Sequence, residues 1–102
     1  MNLIFTELAL AFPNTEQAPH FDRTAFKVID KRIFATLHHA TNNANLRLSN
    51  TDQKEFCSLN AHIYPVPNKW GEQGWTTFEL DHCAEEVLKS ALESAYLHAR
   101  KK

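Results

Sequence analysis

Glycine is the residue this chain does without: two among 102 residues, Gly71 and Gly74. A dinucleotide fingerprint, a Walker phosphate loop or a Gly-x-Ser-x-Gly nucleophile elbow each spends glycines on a backbone turn of its own, and with both committed to one loop none can be built. Cysteine is as scarce. Cys57 and Cys83 form neither a Cys-x-x-Cys pair nor a framework, each falls in a segment that reads as helix, and two reduced, packed thiols are expected. Neither sign of charge prevails, and a net charge of −1 by itself argues against a surface dominated by polyanion binding. No apolar run approaches the roughly 18 residues that cross a bilayer. The Met1 to Phe12 stretch lacks a basic leader and is interrupted by Thr6 and Glu7, so no membrane is expected and the cytoplasm is the expected location.

What the chain has is a length of 102 residues, suited to one compact domain covering 1–102, with a 43% hydrophobic share that is enough for one core. Leu3 or Ile4, Leu8 and Phe12 recur at helical spacing and end at Pro13, which predicts a short first helix. Asn14 to Gln17 reads as a polar turn. Period-two alternation then predicts two strands, Phe26 and Val28 about Lys27 and Ile33, Ala35 and Leu37 against Phe34, Thr36 and His38, joined as a hairpin at Asp30-Lys31. A third strand is expected at Leu46 to Ser49, after the asparagine-rich turn Thr41 to Asn45. Asn50 is the expected cap of a short helix from Thr51 to about Leu59, with Phe56 and Leu59 facing inward. Ala61 to Val66 and Trp75 to Leu80 give the fourth and fifth strands. Asp81 is the expected cap of a last helix whose stripe is Val87, Leu88, Ala91, Leu92, Ala95, Tyr96 and Ala99, with Arg100, Lys101 and Lys102 at its negative end. The expected fold class is α+β, an antiparallel sheet of about five strands with helices at both ends of the chain and one short helix between, packed on one face.

Few residues suggest chemistry. His38 and His39 are adjacent on a strand and point to opposite faces, so they cannot easily share a metal; His62, His82 and His98 have no partner at ligand spacing. Asp81, Glu85 and Glu86 are explained first by capping and the helix dipole. No nucleophile, base or metal set stands at a recognisable spacing, and the sequence predicts a binding module, with no catalytic residue, metal or cofactor, rather than an enzyme.

The informative segment is Tyr64-Pro-Val-Pro-Asn-Lys-Trp-Gly-Glu-Gln-Gly-Trp75, which holds both glycines, both tryptophans and two of the four prolines. Pro65 and Pro67 hold its approach extended, the glycines allow backbone closed to other residues, and the indoles supply contact area. It reads as a loop packed by its own tryptophans over the sheet edge, with Lys69 and Trp70 as a cation and stacking platform at a rim. Charge is segregated along the chain. From Arg23 to Lys69 seven basic residues face three acidic ones, and from Trp70 to Glu93 six acidic residues face Lys89. Lys27 and Arg47 are expected to point outward from strands, with Arg23, Arg32, Lys69 and Trp70 extending a nucleic-acid-binding patch.

That loop and the two Thr that follow it, with Pro19-His-Phe-Asp-Arg-Thr-Ala-Phe26 and Lys31-Arg-Ile-Phe-Ala-Thr-Leu37, resemble the MmcQ/YjbR family of small bacterial proteins. His20, Phe21, Phe26, Pro67, Gly71, Gly74 and Trp75 carry the resemblance. Asp22 and Thr24 stand where that family often has glycine and proline. The resemblance implies a fold similar to frataxin-like CyaY proteins and secretion chaperones. It also implies a DNA-binding role, through a likeness to the double-wing domain of a phage transcription factor. The expected activity is weak, sequence-tolerant DNA contact through the basic sheet face and the Lys69/Trp70 loop; the alternative is a protein-interaction or chaperone-like module with a protein partner and no nucleic-acid role. A monomer is expected.

Overall fold

The computed structural model describes residues 2–101. The elements run α1 (Asn2–Leu10), β1 (Thr15–His20), β2 (Arg23–Val28), β3 (Ile33–His38), β4 (Asn43–Arg47), α2 (Asn50–Leu59), β5 (Ile63–Pro65), α3 (Lys69–Glu72), β6 (Trp75–Glu79), a 3-10 turn at Leu80–His82, and α4 (Glu85–Arg100). The strands form one antiparallel six-stranded sheet in the order β1-β2-β3-β4-β6-β5. The expected α+β class holds, with one strand more than the sequence pattern suggests.

The extra strand is β1, which begins within the stretch read as a polar turn. Thr15 pairs with Val28 and His20 with Arg23, so β1 and β2 close a hairpin over Phe21 and Asp22. Its residues after Thr15 are all exposed, so it is an edge strand with no apolar alternation to announce it. The expected β2–β3 hairpin forms, with Asp30 left-handed at φ 63° and Val28 N–H donating to Arg32 O at 3.1 Å. Register shifts between Phe26 and Lys27, leaving Phe34 as the additional residue in β3. The bulge explains why Phe34, expected on the face opposite Ala35, is buried like it and meets the Tyr96 ring edge-on at 6.0 Å.

Helices α1, α2 and α4 pack on one face of the sheet. Phe5 of α1 meets Phe26 at 5.7 Å, Phe56 of α2 meets Phe78 at 6.2 Å, and Leu88, Ala91, Leu92 and Ala95 of α4 are wholly buried. Helix α1 ends at Leu10; Phe12 stacks on Tyr96 at 4.6 Å, and the Tyr96 hydroxyl donates to Pro13 O, so the chain after α1 is tied to α4. Four local expectations are corrected. Ser49, not Asn50, caps α2, its Oγ accepting from Asp52 N–H at 3.1 Å, and Leu59 at the other end is 62% exposed because α2 covers only the sheet's margin. Asp81 does not cap α4; the chain first makes the 3-10 turn, Ala84 takes the cap position, and Asp81 accepts from Asn42 Nδ2 instead. Cys83 therefore lies in the bend before α4 rather than in a helix, buried, while Cys57 is in α2. Lys102, expected beside Arg100 and Lys101, lies outside the described residues.

Candidate functional site

The face opposite the helices is polar. Across its centre Ala25, Thr36, Asn45, Thr77 and Tyr64 stand in one pairing row over β2, β3, β4, β6 and β5. Arg47 pairs with Trp75 on one side of that row, and His38, Asn43 and Glu79 align on the other. Thr77 Oγ1 donates to Asn45 Oδ1 at 2.8 Å, so neighbouring polar groups hold one another.

The loop between β5 and β6 closes over part of this face. Asn68 caps α3, its Oδ1 accepting from Trp70 N–H at 2.9 Å, and this short helix carries Lys69 and Trp70 outward. Both glycines are buried at close backbone approaches. A Cβ at Gly71 would lie 2.0 Å from Val66 O, and one at Gly74, whose φ is 103°, would lie 1.9 Å from Leu48 O. Gln53 of α2, itself buried, reaches the loop with its side-chain amide: Nε2 has Gly71 O, Thr76 Oγ1 and Trp75 O within 3.2 Å. Nothing in the sequence singled out Gln53; a glutamine in a short helix resembles a solvated residue until the loop it holds is in place.

Beneath the loop is a cleft of about 260 Å³ lined by His20, Arg23, Thr36, Asn45, Val66, Trp70 and Trp75. Sites for drug-sized ligands run to roughly 300–1,000 Å³. This one takes a single ring or side chain. Trp70 is 50% exposed, Trp75 half-buried, and Arg23 Nη1 donates to Thr36 Oγ1 at 3.3 Å on the cleft floor. Phe21, beside His20 at 5.0 Å between ring centres, is 94% exposed and left-handed at φ 60°. Asp22 accepts from His38 Nε2 at 2.8 Å, and this bond, ahead of the Arg23 charge, holds its carboxyl below the usual range.

The proposed patch residues are thus divided. Arg23 and Trp70 line the cleft, and Lys69, exposed, precedes Trp70 in the same turn. Arg47 donates from Nε to Gln73 O at the loop's end. His98 on α4 is pushed down by burial first and then by the charges of Arg47, Lys101 and Arg32. Lys27 is paired to Glu16 at 3.6 Å and contributes least free charge. Of the residues that carried the family resemblance, His20 and Trp75 line the cleft, Phe21 sets its ring edge-on to His20, Gly71 and Gly74 hold the loop, Pro67 is exposed, and Phe26 is core.

The histidines separate as expected at one place and not at another. His38 bonds Asp22 and Thr41 while His39 bonds Thr24, on diverging sides. His62 and His82, which the sequence leaves without partners, stack at 3.9 Å beside Glu79. His62 Nδ1 lies 2.8 Å from Glu79 Oε1, and Tyr64 OH donates to Glu79 Oε2 at 2.6 Å. These contacts hold the Glu79 carboxyl below its usual range, the Tyr64 bond foremost, and push the Tyr64 hydroxyl up.

The YjbR family model matches residues 10–98. The crystal structure of a Deinococcus radiodurans protein with a DUF419 domain superposes with a TM-score of 0.79 at 23% identity, covering 94% of this chain and 75% of that one. At that identity the likeness speaks of fold alone. No curated protein matches the chain. Among the described residues no helix is long and apolar enough to cross a membrane.

Proposed function

The chain belongs to the YjbR family, and we propose that it binds DNA weakly and with little regard for sequence, taking an unpaired base into the Trp70/Trp75 cleft. One observation carries the reading: an arginine, two indoles and the polar side chains of Thr36 and Asn45 converge on a cleft sized for one ring, on the sheet face that no long helix covers. Aromatic faces stack on any base, which gives affinity without sequence preference, and Arg23 with Lys69 supplies cations for the neighbouring phosphates. The polar row beyond the cleft gives an extended strand a surface to lie on. Glu16 pairs with Lys27 and the Asp22 charge lies near Arg23, so part of the patch's positive charge is offset and both affinity and salt slope are modest. Duplex DNA, whose bases are stacked, fits the cleft less well than a single strand.

Fluorescence titration with labelled single-stranded and duplex oligonucleotides at several salt concentrations tests this. The expected result is preference for the single strand, with Trp70→Ala weakening it by about 1–3 kcal/mol and Arg23→Gln lowering both affinity and salt slope. No binding at low salt, or affinity indifferent to both substitutions, overturns it. A second reading has one observation of its own: Trp70, 50% exposed, lines the cleft, and Phe21, 94% exposed, lies against the cleft residue His20, apolar surface that also suits a side chain of a partner protein. Partner retention after nuclease treatment, lost on Trp70→Ala, would favour that reading.

A further inference from the structure

At the opposite end of the polar face from Arg47 and Trp75, the geometry points to a binding site for a first-row divalent transition metal ion, with His62, Glu79 and His82 as its three protein ligands. Their donor atoms all lie within 4.8 Å of one another, and none of the three lines the Trp70/Trp75 cleft. No spacing in the sequence reveals them, because the fold assembles the set from both sides of the β5–β6 edge. His62 immediately precedes β5, Glu79 closes β6 opposite it, and His82 follows on the 3-10 turn. The Glu79 N–H donates to His62 O at 3.0 Å, which fixes the first two in register.

Two further side chains hold the ligands in place. Asn60 spans both histidine segments, its Oδ1 accepting from His62 N–H and its Nδ2 donating to His82 O, each at 2.8 Å. Tyr64 takes up Glu79 Oε2, leaving Oε1 turned toward His62. Metal sites carry this kind of outer support, in which a neighbouring donor orients each ligand, and its loss costs about 10–100-fold in affinity. The donor set also selects the ion. Two imidazoles and a carboxylate suit zinc, cobalt, nickel or copper(II), whereas magnesium and calcium need all-oxygen shells. Metal–ligand bonds of about 2.0–2.2 Å in a tetrahedron put donors about 3.4 Å apart. His62 Nδ1 and Glu79 Oε1, at 2.8 Å, are already nearer than that, and an ion between them replaces their mutual bond. The exposed His82 ring turns out of its stack to supply the third bond, and a fourth position faces solvent.

The test uses untagged full-length protein, stripped with chelator and titrated calorimetrically with zinc chloride and, separately, magnesium chloride. One zinc per chain is expected, with no magnesium uptake. His82→Ala and Glu79→Gln each weaken zinc by about tenfold or more, and Tyr64→Phe, a positioning change, by about tenfold. His39→Ala, which removes an imidazole elsewhere, leaves affinity unchanged, and circular dichroism of each variant verifies the fold. As a second measurement, zinc shifts the ring resonances of His62 and His82 together and leaves those of His38 in place. Absence of zinc binding, equal binding of magnesium, or zinc affinity untouched by His82→Ala overturns the assignment.

Discussion

On the helix-covered face of the sheet, Phe26, Ala35, Leu37, Ala44, Leu46 and Phe78 are buried at 0% exposure, while the row behind them is Ala25, Thr36, Asn45, Thr77 and Tyr64. The same strands carry both sets, one residue apart. The first set is held by its contacts with α1, α2 and α4 and feels even small changes of volume. The second is held by side-chain hydrogen bonds and a loop fastened from α2 through Gln53, leaving a cleft and solvent-facing aromatics. The difference teaches where stability and binding reside in this molecule. Burial sets the covered face, while the open one carries a left-handed Phe21, exposed rings and a closely set carboxylate and imidazole pair.

Adjacent substitutions on β6 test that division most strongly. Phe78→Ala empties a wholly buried site against Phe56 and should cost about 3–5 kcal/mol. Thr77→Ala, one residue away on the other face, loses its bond to Asn45 and should cost about 1 kcal/mol. Chemical denaturation of the two variants measures both. Comparable losses would mean that the polar face is part of the core and erase the comparison. Next in size is Gly74→Ala. A residue with a side chain at φ 103° carries about 1–3 kcal/mol of strain, and its Cβ would meet Leu48 O at 1.9 Å, where Leu48 N–H already bonds Gly74 O. The loop must part from β4 to accept it, so a lowered melting temperature should come with weaker quenching-detected contact at Trp70 and Trp75. A variant of unchanged stability would show that the loop is not fastened there.

The covered face was legible in the sequence because its signals are periodic. The α4 stripe, the β2–β3 hairpin and the strand at Trp75 follow from alternation and helical spacing, which report burial directly. The open face was legible only in part. The Tyr64 to Trp75 loop is distinct in composition, which points to Lys69, Trp70 and Trp75. Strand β1 was not legible, since a solvent-exposed edge strand held by backbone pairing alone has no reason to alternate. His20, Arg23 and Trp70 come together across that strand and the loop, and His62, Glu79 and His82 across β5 and β6. Both groupings depend on pairings far apart in the chain, and local patterns do not record them.

A smaller effect of opposite sign is expected at the β1–β2 turn. Phe21 is left-handed at φ 60° and 94% exposed, so it is strained and buries almost nothing. Phe21→Gly should therefore raise stability by about 1 kcal/mol, read from the thermal midpoint. If the open face is organised for binding, the same change should weaken the contact made at the cleft's rim. A loss of stability instead would assign Phe21 a packing role and blur the distinction between the faces.

The smallest expected effect is the most diagnostic of charge. Asp22 beside it is ionised in the fold below the usual carboxylate range, chiefly because it accepts from His38 and also because Arg23 is near. A depressed folded pKa contributes stability above the ordinary range of an aspartate, and that contribution disappears as pH falls through the depressed value. The melting-temperature difference between the parent chain and Asp22→Asn should thus be small and positive near neutrality and vanish in acid. A difference that grows toward acid would contradict the hydrogen-bond account. Asp22 also sets a negative charge against Arg23, so on the proposed reading Asp22→Asn gives up that small stability and tightens DNA binding at low salt. A single carboxylate that stabilises the turn while weakening the cleft would place the trade between stability and binding on the open face alone.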